Sequence, residues 1–570
     1  MTRRRHWALA LLLIILTWPL VPRLGAALRT DPAGEAAAHL WGHAAALRGE
    51  GPLWIQSAQL GWPDGVQFAL IDPGNLPIAA LGWALAGPAG AHNLLALAGV
   101  AAAGAGAAAL ARRLRTPAHV AAALAMASPP ILSASITGMT EHYLVGLCAV
   151  QLAWAARAAR SGAPTALLGA SALLALLPAL GPYNALWGAL LNLGLLAWTA
   201  RAAGPATGTR VLRLLGTQAL GLVLAAPVLV RAASDRLGMS GGAQQRGLPP
   251  IERLPDAFRG GMQRGADLID LVAPLPLTGG APSTPASAYQ GLGVLVCALW
   301  AAWTRPRLRA PLLAAGALLL LSLGATVSVG GAPLEIDGEP LRAPVGWLTA
   351  HWPALGRISR WGRAAAVAAV ILAPLAAAAL PRAKAPRAAL LLLLMVDLVL
   401  LAPGPWPMPM APLPAVPAGL ALPMPAGQPA VFTWPPSTSG PPGRGRWRDE
   451  TALAQLVHGR PLAGTIMNAP MSPAVERAFV RLQRALPAGD DLRPAMRPLA
   501  EAGFGALLVD LRRVHLPPES HAALSACLGP PIEAQPDTVL WALPPRGCRP
   551  QATVPKPPAE TPPPSAQIRP

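Results

Sequence analysis

The sequence predicts an all-α polytopic membrane bundle followed by a small C-terminal α/β domain. Hydrophobic residues make up 53% of the 570 residues, and the mean hydropathy is +0.43. Charged residues make up only 12%, about half the share that is usual in soluble domains. Apolar runs long enough to cross a bilayer recur along the chain, whereas its C-terminal part mixes short apolar and polar segments. Together these observations predict a membrane domain and a smaller domain outside the lipid.

The basic balance of the chain does not indicate a nucleic-acid partner. The net charge is +19 and the isoelectric point is about 11.4, but a nucleic-acid-binding surface needs a density of charge that this composition cannot supply. The apolar content also argues against disorder over most of the length. We therefore expect membrane lipids to surround the protein and the positive charge to follow its topology.

A helix that crosses the hydrocarbon core needs about 20 mostly apolar residues. About eleven stretches are candidates by this measure: 7–26, 89–111, 117–135, 140–157, 164–181, 183–200, 212–231, 289–304, 310–328, 361–380 and 387–403. The stretch 74–87 is apolar but short and interrupted by Gly and Pro, so we expect it to be re-entrant or interfacial. The first stretch could be a cleaved signal peptide, but its length and its prolines favour a retained anchor.

Basic residues indicate which ends of these helices face the cytoplasm. Clusters of Arg and Lys all fall on one side if the helices alternate in direction: 3–5, 112–115, 157–160, 201–213, 305–309 and 382–387. The positive-inside rule makes that side cytoplasmic. The N-terminus is therefore predicted inside and the C-terminal domain outside, in a bacterial inner membrane.

Most of the residues outside the predicted helices lie on the opposite, outer side. The long connections there are 27–73, 232–288, 329–360 and everything after 404. The sequence contains no GxxxxGK[ST] loop of a nucleotide-binding domain, so we expect the chemistry at the outer face. The predicted domains are a membrane domain at 1–403, a Pro-rich linker at 404–426, an extracytoplasmic α/β domain at 427–548 and a disordered Pro-rich tail at 549–570.

The α/β domain is predicted from strands that alternate with helices. The strands are expected at 430–434, 505–511 and 538–543, and the helices at 450–457, 473–486, 493–502 and 518–528. Cys527 and Cys548 bracket the last of these strands. In an oxidising outer compartment they could form a disulfide, although the sequence alone does not give their separation.

The first outer connection holds the best set of candidate catalytic residues. Asp31, Glu35, His39 and His43 are each four residues apart, so a helix would place them on one face. A carboxylate just outside the membrane can act as a general base or hold a divalent metal. The alternative is the solvated face of an interfacial helix, an interpretation that suits the two histidines better than the two carboxylates.

Other acidic residues lie near the outer ends of predicted helices. Glu141 and His142 could line a site, or Glu141 could serve the dipole of the helix that follows. Asp64 precedes Gly65 and Asp72 precedes a Pro-Gly pair, so turn formation is the expected role of both. The sequence contains no GxSxG, HExxH or paired CxxC signature that would indicate a hydrolase or a zinc site.

Three arginines lie at the outer entrance of a predicted helix, where the positive-inside rule does not require them. They are Arg357, Arg360 and Arg363. Guanidinium groups at this spacing could bind a phosphate or pyrophosphate in a bidentate manner. The alternative is contact with lipid headgroups. We favour the phosphate-binding interpretation because these arginines are not needed to set the topology.

A series of stretches along most of the chain carries a family resemblance: 30–49, 62–65, 87–94, 128–130, 138–141, 353–360, 455–462 and 502–509. These include Trp62-Pro63-Asp64-Gly65, Gly138-Met139-Thr140-Glu141 and Arg357-Ile358-Ser359-Arg360. In their order and topology they resemble a bacterial branch of the C-type glycosyltransferase (GT-C) superfamily. Its members are polytopic membrane enzymes that use polyprenyl-phosphate sugars on the outer side.

The resemblance implies roles for several of the candidate residues. It implies an acidic catalytic base in the first outer connection, for which Asp31 is the matching position and Glu35 the second. It implies basic residues that hold the lipid-linked phosphate, for which Arg360 and Arg363 are candidates. A divalent cation, Mg²⁺ or Mn²⁺, could take part, although this connection lacks an Asp-x-Asp or Glu-x-Asp pair and the sequence therefore names no metal ligand.

The sequence thus predicts an integral membrane glycosyltransferase that moves a sugar from a polyprenyl-phosphate donor to an envelope or lipid acceptor at the outer face. Asp31 or Glu35 would deprotonate the acceptor hydroxyl, and the arginines would stabilise the leaving phosphate. The alternatives are a transporter or flippase of lipid-linked substrates and a non-catalytic envelope assembly protein. The sugar, the acceptor and the oligomeric state are not predicted.

Overall fold

A computed structural model of the chain shows a bundle of helices with an α/β unit at its C-terminal end. The described residues are 3–28, 36–51, 53–134, 140–201, 204–236, 265–273, 288–352, 355, 360–401, 406–413, 416–421, 427–434, 450–464, 471–488, 490–511 and 514–549. The predicted Pro-rich tail lies outside the described residues from position 550 onward.

The helices of the bundle follow the apolar stretches of the sequence. They are α1 (Arg3–Leu16), α2 (Ala36–Leu47), α3 (Leu76–Leu114), α4 (Ala118–Ala127), α5 (Pro129–Ala134), α6 (Gly146–Ser161), α7 (Pro164–Leu180), α8 (Pro182–Arg201), α9 (Thr207–Arg236), α10 (Leu268–Val272), α11 (Leu292–Thr304), α12 (Arg309–Ser322), α13 (Pro344–His351), α14 (Ala364–Ala379) and α15 (Lys384–Val399). Every stretch predicted to cross the membrane coincides with one or two of them.

Helix length limits how many of these helices can be recognised as spans. Within the described chain, three helical stretches are long and apolar enough to cross a membrane: Pro73–Leu114, Thr207–Val230 and Trp361–Ala379. Others are shorter because Gly and Pro end them; after α6, for example, Gly162 adopts φ +63 and Pro164 begins α7. The number of spans and the sidedness of the chain stay predictions.

The short apolar stretch 74–87 is helical and continues into the second predicted span. The two parts form α3, which has a kink where Ala86 and Gly87 leave the helical conformation and Pro88 follows. A Cβ atom at Gly82 would lie 2.4 Å from the carbonyl oxygen of Gly90. The glycines at these two positions therefore allow the two parts of α3 to approach each other closely beside the kink.

The core of the bundle forms around α14. Its residues from Ala364 to Ala378 are all buried, and the helix packs against α4, α11 and α12. Most of these residues are alanine. Small side chains allow helix backbones to approach closely, which is how helices associate where lipid provides no hydrophobic driving force.

Short strands connect parts of the bundle. They are β1 (Ala27–Leu28), β2 (Trp54–Ser57), β3 (Val66–Ala69), β4 (Ser328–Val329), β5 (Ala332–Pro333), β6 (Glu335–Ile336), β7 (Glu339–Pro340) and β8 (Ala411–Pro412). Three antiparallel hairpins join β2 with β3, β4 with β5 and β6 with β7. Strand β8 pairs with β1, so the predicted linker at 404–426 is tied to the residues that follow the first helix.

The C-terminal unit, residues 427–549, contains a four-stranded sheet in the order β11-β12-β10-β9. Its elements are β9 (Ala430–Trp434), α16 (Glu450–His458), α17 (Pro473–Ala488), α18 (Arg493–Glu501), β10 (Phe504–Asp510), α19 (Pro518–Leu528), β11 (Glu533–Ala534) and β12 (Thr538–Ala542). Strands β9 and β10 are parallel, and the other pairs are antiparallel. Each element expected from the sequence is present. The sulfur atoms of Cys527 and Cys548 are bonded, with Cα atoms 4.7 Å apart.

Candidate functional site

Two buried histidines on α2 form one side of the candidate site. His39 and His43 lie four residues apart, so one face of the helix carries both. Only 3% and 1% of their surfaces are exposed. The interpretation of these histidines as part of a solvated interfacial face is therefore wrong: both face the protein interior, where they approach buried carboxylates.

Asp72 is the carboxylate that both histidines approach. Its Oδ1 atom lies 3.1 Å from His43 Nε2 and 3.9 Å from His39 Nδ1. Its Oδ2 atom accepts hydrogen bonds from Asn75 Nδ2 at 2.8 Å and from the hydroxyl of Thr140. The predicted turn is present, because Asp72 directly precedes the 3-10 turn Pro73–Asn75 that leads into α3. Turn formation is not the whole role of Asp72, however, since its side chain is buried among charged and polar partners.

Glu141 lies between two cations. Its Oε1 atom accepts a hydrogen bond from Arg363 Nη1 at 2.8 Å, and its Oε2 atom lies 2.9 Å from His39 Nε2. The Arg363 guanidinium also stacks on Tyr183, with its carbon 4.1 Å from the ring centroid. Gly181, at φ +133°, allows the backbone to pass close to Glu141, because a Cβ atom at position 181 would lie only 2.6 Å from Glu141 Cβ.

These five ionisable residues form what we call the charged cluster: His39, His43, Asp72, Glu141 and Arg363. Three of them lie just before helices of the bundle: Asp72 precedes the turn that leads into α3, Glu141 lies in the turn Thr140–His142 before α6, and Arg363 directly precedes α14. The cluster therefore lies where α2 meets the N-terminal ends of three bundle helices. Those are the ends that the sequence predicts to face outside.

Mutual pairing keeps Asp72, Glu141, His39 and Arg363 ionised despite their burial. Burial alone would lower the pKa of His39, but the Glu141 and Asp72 carboxylates raise it well above its ordinary value. Glu141 is paired with His39 and Arg363, and their positive charges favour its ionised form despite its burial. The pKa of Asp72 is lowered in the same way by His43 and His39. At neutral pH the two carboxylates are therefore ionised and face a protonated His39 and Arg363.

His142 is buried beside the charged cluster, with 3% of its surface exposed. Burial disfavours the charged form of its ring, and the positive charge of Arg363 acts in the same direction, so the ring is neutral. Neither ring nitrogen has a hydrogen-bond partner among the described residues, whereas the Oε2 atom of Glu141 is paired with His39. Buried polar atoms without a partner are rare, and these can bind a polar ligand.

The site residues predicted from the sequence fall into three groups. Three lie outside the described part of the chain: Asp31, Glu35 and Arg357. Three come together in the charged cluster: His39, Glu141 and Arg363. Two lie close to it in the chain: His142, and Arg360, which directly precedes the turn Trp361–Arg363. The phosphate-binding role of the arginines stays a prediction, and Arg363 is already paired with a carboxylate.

Asp72 is the member that sequence reasoning missed. The Asp-Pro-Gly sequence correctly indicates a turn, and this signal concealed the role of the side chain. A different signal was available, because Asp72 immediately precedes an apolar helix on the predicted outer side. An ionisable residue in such a position is a candidate for function.

Comparison with known proteins places this geometry in a known fold. No protein-family model matches the sequence, and no curated protein matches it. Among solved structures, the arabinofuranosyltransferase AftD from Mycobacteria matches with a TM-score of 0.53 and 18% identity, over 95% of this chain and 40% of that chain. The chain has the C-type glycosyltransferase fold. It spans less than half the length of the AftD chain it matches, and at this identity the likeness concerns the fold alone.

Two further matches score below 0.5. The oligosaccharyltransferase AglB from Archaeoglobus fulgidus has a TM-score of 0.46 and 13% identity, over 90% of this chain and 70% of that chain. ArnT from Cupriavidus metallidurans in its apo state has a TM-score of 0.47 and 14% identity, over 96% of this chain and 100% of that chain. The assignment of the C-type fold therefore rests on the AftD match and not on these two.

The charged cluster does not fit a divalent cation. Glu141 already faces two positive charges, and both carboxylate oxygens of Asp72 have protein partners. A metal ion bound to Glu141 would have to displace Arg363 or approach a protonated His39. No group of three or more His, Cys, Asp or Glu side chains within the described ranges is arranged to hold a metal ion. A cation site that includes Asp31 or Glu35 stays a prediction.

Proposed function

We propose that the protein is an integral membrane glycosyltransferase that moves a sugar from a polyprenyl-phosphate donor to an envelope or lipid acceptor at the outer face of a bacterial inner membrane. The observation that carries the proposal is a buried charged cluster at one end of a bundle with the C-type glycosyltransferase fold. Buried charges are costly and are retained where they pair or serve a function. Helix α2 of the cluster directly follows the chain segment that contains Asp31 and Glu35.

The proposed reaction is a displacement at the anomeric carbon of the donor sugar. Asp31 or Glu35 takes the proton of the acceptor hydroxyl, whose oxygen then bonds to the anomeric carbon. The bond from that carbon to the phosphate oxygen breaks, and the polyprenyl phosphate leaves with the electron pair. Arg357 and Arg360 stabilise the negative charge that develops on the leaving phosphate.

The charged cluster has a different role in this proposal. Glu141 and Asp72 hold their charges in ion pairs, so they are poor proton donors or acceptors near neutral pH. The two ring nitrogens of His142 have hydrogen-bonding capacity that the described residues do not use, whereas both carboxylate oxygens of Glu141 are paired. A neutral imidazole has one donor and one acceptor nitrogen. We therefore assign to His142 the binding of sugar hydroxyls.

Transfer of a labelled sugar in proteoliposomes tests the proposal. The full chain is reconstituted with radiolabelled polyprenyl-phosphate sugars and a lipid extract that contains acceptors, and labelled product is separated from donor. Loss of the general base should lower the rate by about 10²–10⁴-fold, so we expect losses of this size in Asp31→Asn, in Glu35→Gln or in both. The matched control is Asp64→Asn, which removes an exposed carboxylate of the same connection and should leave the rate unchanged.

Two outcomes would contradict the proposal. Wild-type rates in both Asp31→Asn and Glu35→Gln would exclude the assigned bases. Failure of the wild-type protein to form product with any polyprenyl-phosphate sugar, together with movement of the donor between leaflets, would favour a flippase instead.

A further inference from the structure

Helix α2 has two buried faces that contact different parts of the protein. His39 and His43 point towards Asp72 and Glu141, as described above. Trp41 and Ala45 follow each of these histidines by two residues, and two residues correspond to about 200° of rotation in a helix. They therefore lie on the opposite face, and both are completely buried.

The second face of α2 packs on the C-terminal unit. Trp41 and Ala45 belong to one buried apolar cluster that also contains Val431 of β9, Ala506 of β10 and Leu540 of β12. One face of the C-terminal sheet therefore shares its apolar core with the helix that carries the two histidines. The C-terminal unit is thus part of the environment of the charged cluster.

One buried side chain fixes the register of this packing. Gln455 of α16, which is 1% exposed, accepts a hydrogen bond from Trp41 Nε1 through its Oε1 atom at 2.7 Å. Its amide nitrogen donates to Gln59 Oε1 at 3.0 Å. A single amide therefore connects α16 to two separate points of the connection between α1 and α3. Apolar packing alone would not fix the rotation of α2 about its axis, because non-directional contacts are compatible with several rotations. The hydrogen bonds of Gln455 are directional and select one of them.

Backbone hydrogen bonds hold the same connection to the C-terminal unit. Gly61 N donates to Gly464 O at 2.9 Å, and Trp62 N donates to Leu462 O at 3.0 Å. The Trp62 indole also donates to the carbonyl oxygen of Ala502 at 2.6 Å. The connection is therefore attached to the C-terminal unit both at α2 and at residues 61–62.

Helix α2 needs these contacts to keep its position. It has 12 residues, and isolated helices of about 12–15 residues are only marginally stable in water, so tertiary packing must hold them. The ion pairs of His39 at 2.9 Å and His43 at 3.1 Å depend on where the helix lies. A rotation of α2 would move both imidazoles away from their carboxylates at once.

We propose that the C-terminal unit is a structural part of the site, and that it positions α2 so that His39 and His43 meet Glu141 and Asp72. Gln455 is the positioning residue, acting through Trp41. The inference adds to the proposed function, because it makes the C-terminal unit part of the site and not a module that captures a separate partner. Only its activity assay rests on the proposed function; the structural role of Gln455 does not.

Hydrogen exchange of the full chain in detergent, read by mass spectrometry, tests the proposal without substrate. In Gln455→Leu the buried Trp41 N–H loses its acceptor, and we expect exchange in peptides covering 36–47 to accelerate about tenfold, which corresponds to 1.4 kcal/mol. The matched control is Gln428→Leu, which removes another buried amide of the C-terminal unit, one that donates to Ala500 O. Its exchange in 36–47 should equal that of the wild type.

A double variant separates a specific contact from general loosening. Trp41→Phe alone removes the donor and should also accelerate exchange in 36–47. Trp41→Phe combined with Gln455→Leu removes both partners and leaves neither unsatisfied. The acceleration of exchange in the double variant should therefore be smaller than the sum of the accelerations in the two single variants. If Gln455→Leu does not fold, Trp41→Phe carries the same test.

The proposal is overturned if exchange in 36–47 is unchanged in Gln455→Leu, or if it rises equally in Gln428→Leu. In the glycosyl transfer assay, Gln455→Leu should lower kcat with little change in KM for the donor, since it displaces the cluster without removing a group that binds donor. A rise in KM for the donor with unchanged kcat would contradict a positioning role. If the wild type transfers no sugar, the proposed function fails, while the exchange experiment still decides the role of Gln455.

Discussion

Replacing Glu141 with glutamine should destabilise the protein by about 3 kcal/mol. Glutamine keeps the shape of the side chain and removes its charge. The change leaves two cations, His39 and Arg363, without the carboxylate that now lies 2.9 Å and 2.8 Å from them. All three side chains are at most 8% exposed, so water cannot replace the lost charge.

The expected size follows from what each cation can do afterwards. Removing one partner of a buried ion pair usually costs about 3–5 kcal/mol, because the other charge stays buried and uncompensated. His39 keeps the Asp72 carboxylate, 3.9 Å away, once Glu141 is gone. Arg363 stays charged, because guanidinium groups stay protonated in proteins. Because His39 retains a carboxylate, the expected loss lies near the lower end of that range.

Thermal unfolding of the full chain in detergent measures this loss. The control is Glu501→Gln, which breaks the exposed ion pair between Arg497 and Glu501, 2.7 Å apart with 73% and 59% of the side chains exposed. Exposed pairs of this kind contribute about 0.3–0.5 kcal/mol, so the control should unfold close to the wild type. Glu141→Gln should unfold at a clearly lower temperature.

A companion variant tests whether the loss comes from the buried charge of Arg363. In the double variant Glu141→Gln with Arg363→Met, this buried guanidinium is gone, and the destabilisation should be smaller than the sum of the two single effects. Strict additivity, or a Glu141→Gln protein that unfolds with the wild type, would refute the reasoning that these ion pairs stabilise the fold.

Two further predictions concern protons and metal ions. Because the Glu141 and Asp72 carboxylates raise the pKa of His39 well above its ordinary value of about 6.5, the stability that protonated His39 contributes is fully present below about pH 6.5. It is lost as the pH rises through the raised pKa, and His39→Gln should flatten this decline in melting temperature above about pH 6.5. The cluster carboxylates already have partners, so in a variant that lacks the Asp31 and Glu35 carboxylates neither EDTA nor Mn²⁺ should change the melting temperature. A saturable rise with Mn²⁺ in that variant would contradict the assignment.

The elements of the fold could be predicted because each depends on a local signal. An apolar run of about 20 residues is informative without knowledge of its neighbours, and every predicted span coincides with a helix. The same holds for the C-terminal unit, where the buried strand Phe504–Asp510 and the helix Pro518–Leu528 follow from composition and period. The kink of α3 was not predicted: the sequence indicated a short stretch, 74–87, separate from the next span, whereas the two form one kinked helix.

The partners in the charged cluster could not be predicted in this way. Glu141 and Arg363 are 222 residues apart in the chain, and His43 and Asp72 are 29 residues apart. Helical spacing correctly placed His39 and His43 on one face of a helix, but it did not reveal what that face meets. That depends on how the N-terminal ends of α3, α6 and α14 come together, which is a property of the tertiary packing.

The scarcity of charge nevertheless restricts which pairings are possible. Only 12% of the residues are charged, and a charge buried at the end of a membrane bundle must be paired or neutralised. Asp72 and Glu141 are carboxylates next to bundle helices on the predicted outer side, and Arg363 and the two α2 histidines are the basic groups placed to face them. A requirement for local neutrality would therefore have pointed to Asp72 as a charged-site residue, which the turn signal alone did not. The same requirement explains why the α2 histidines face inward: two buried carboxylates need more positive charge than Arg363 alone provides.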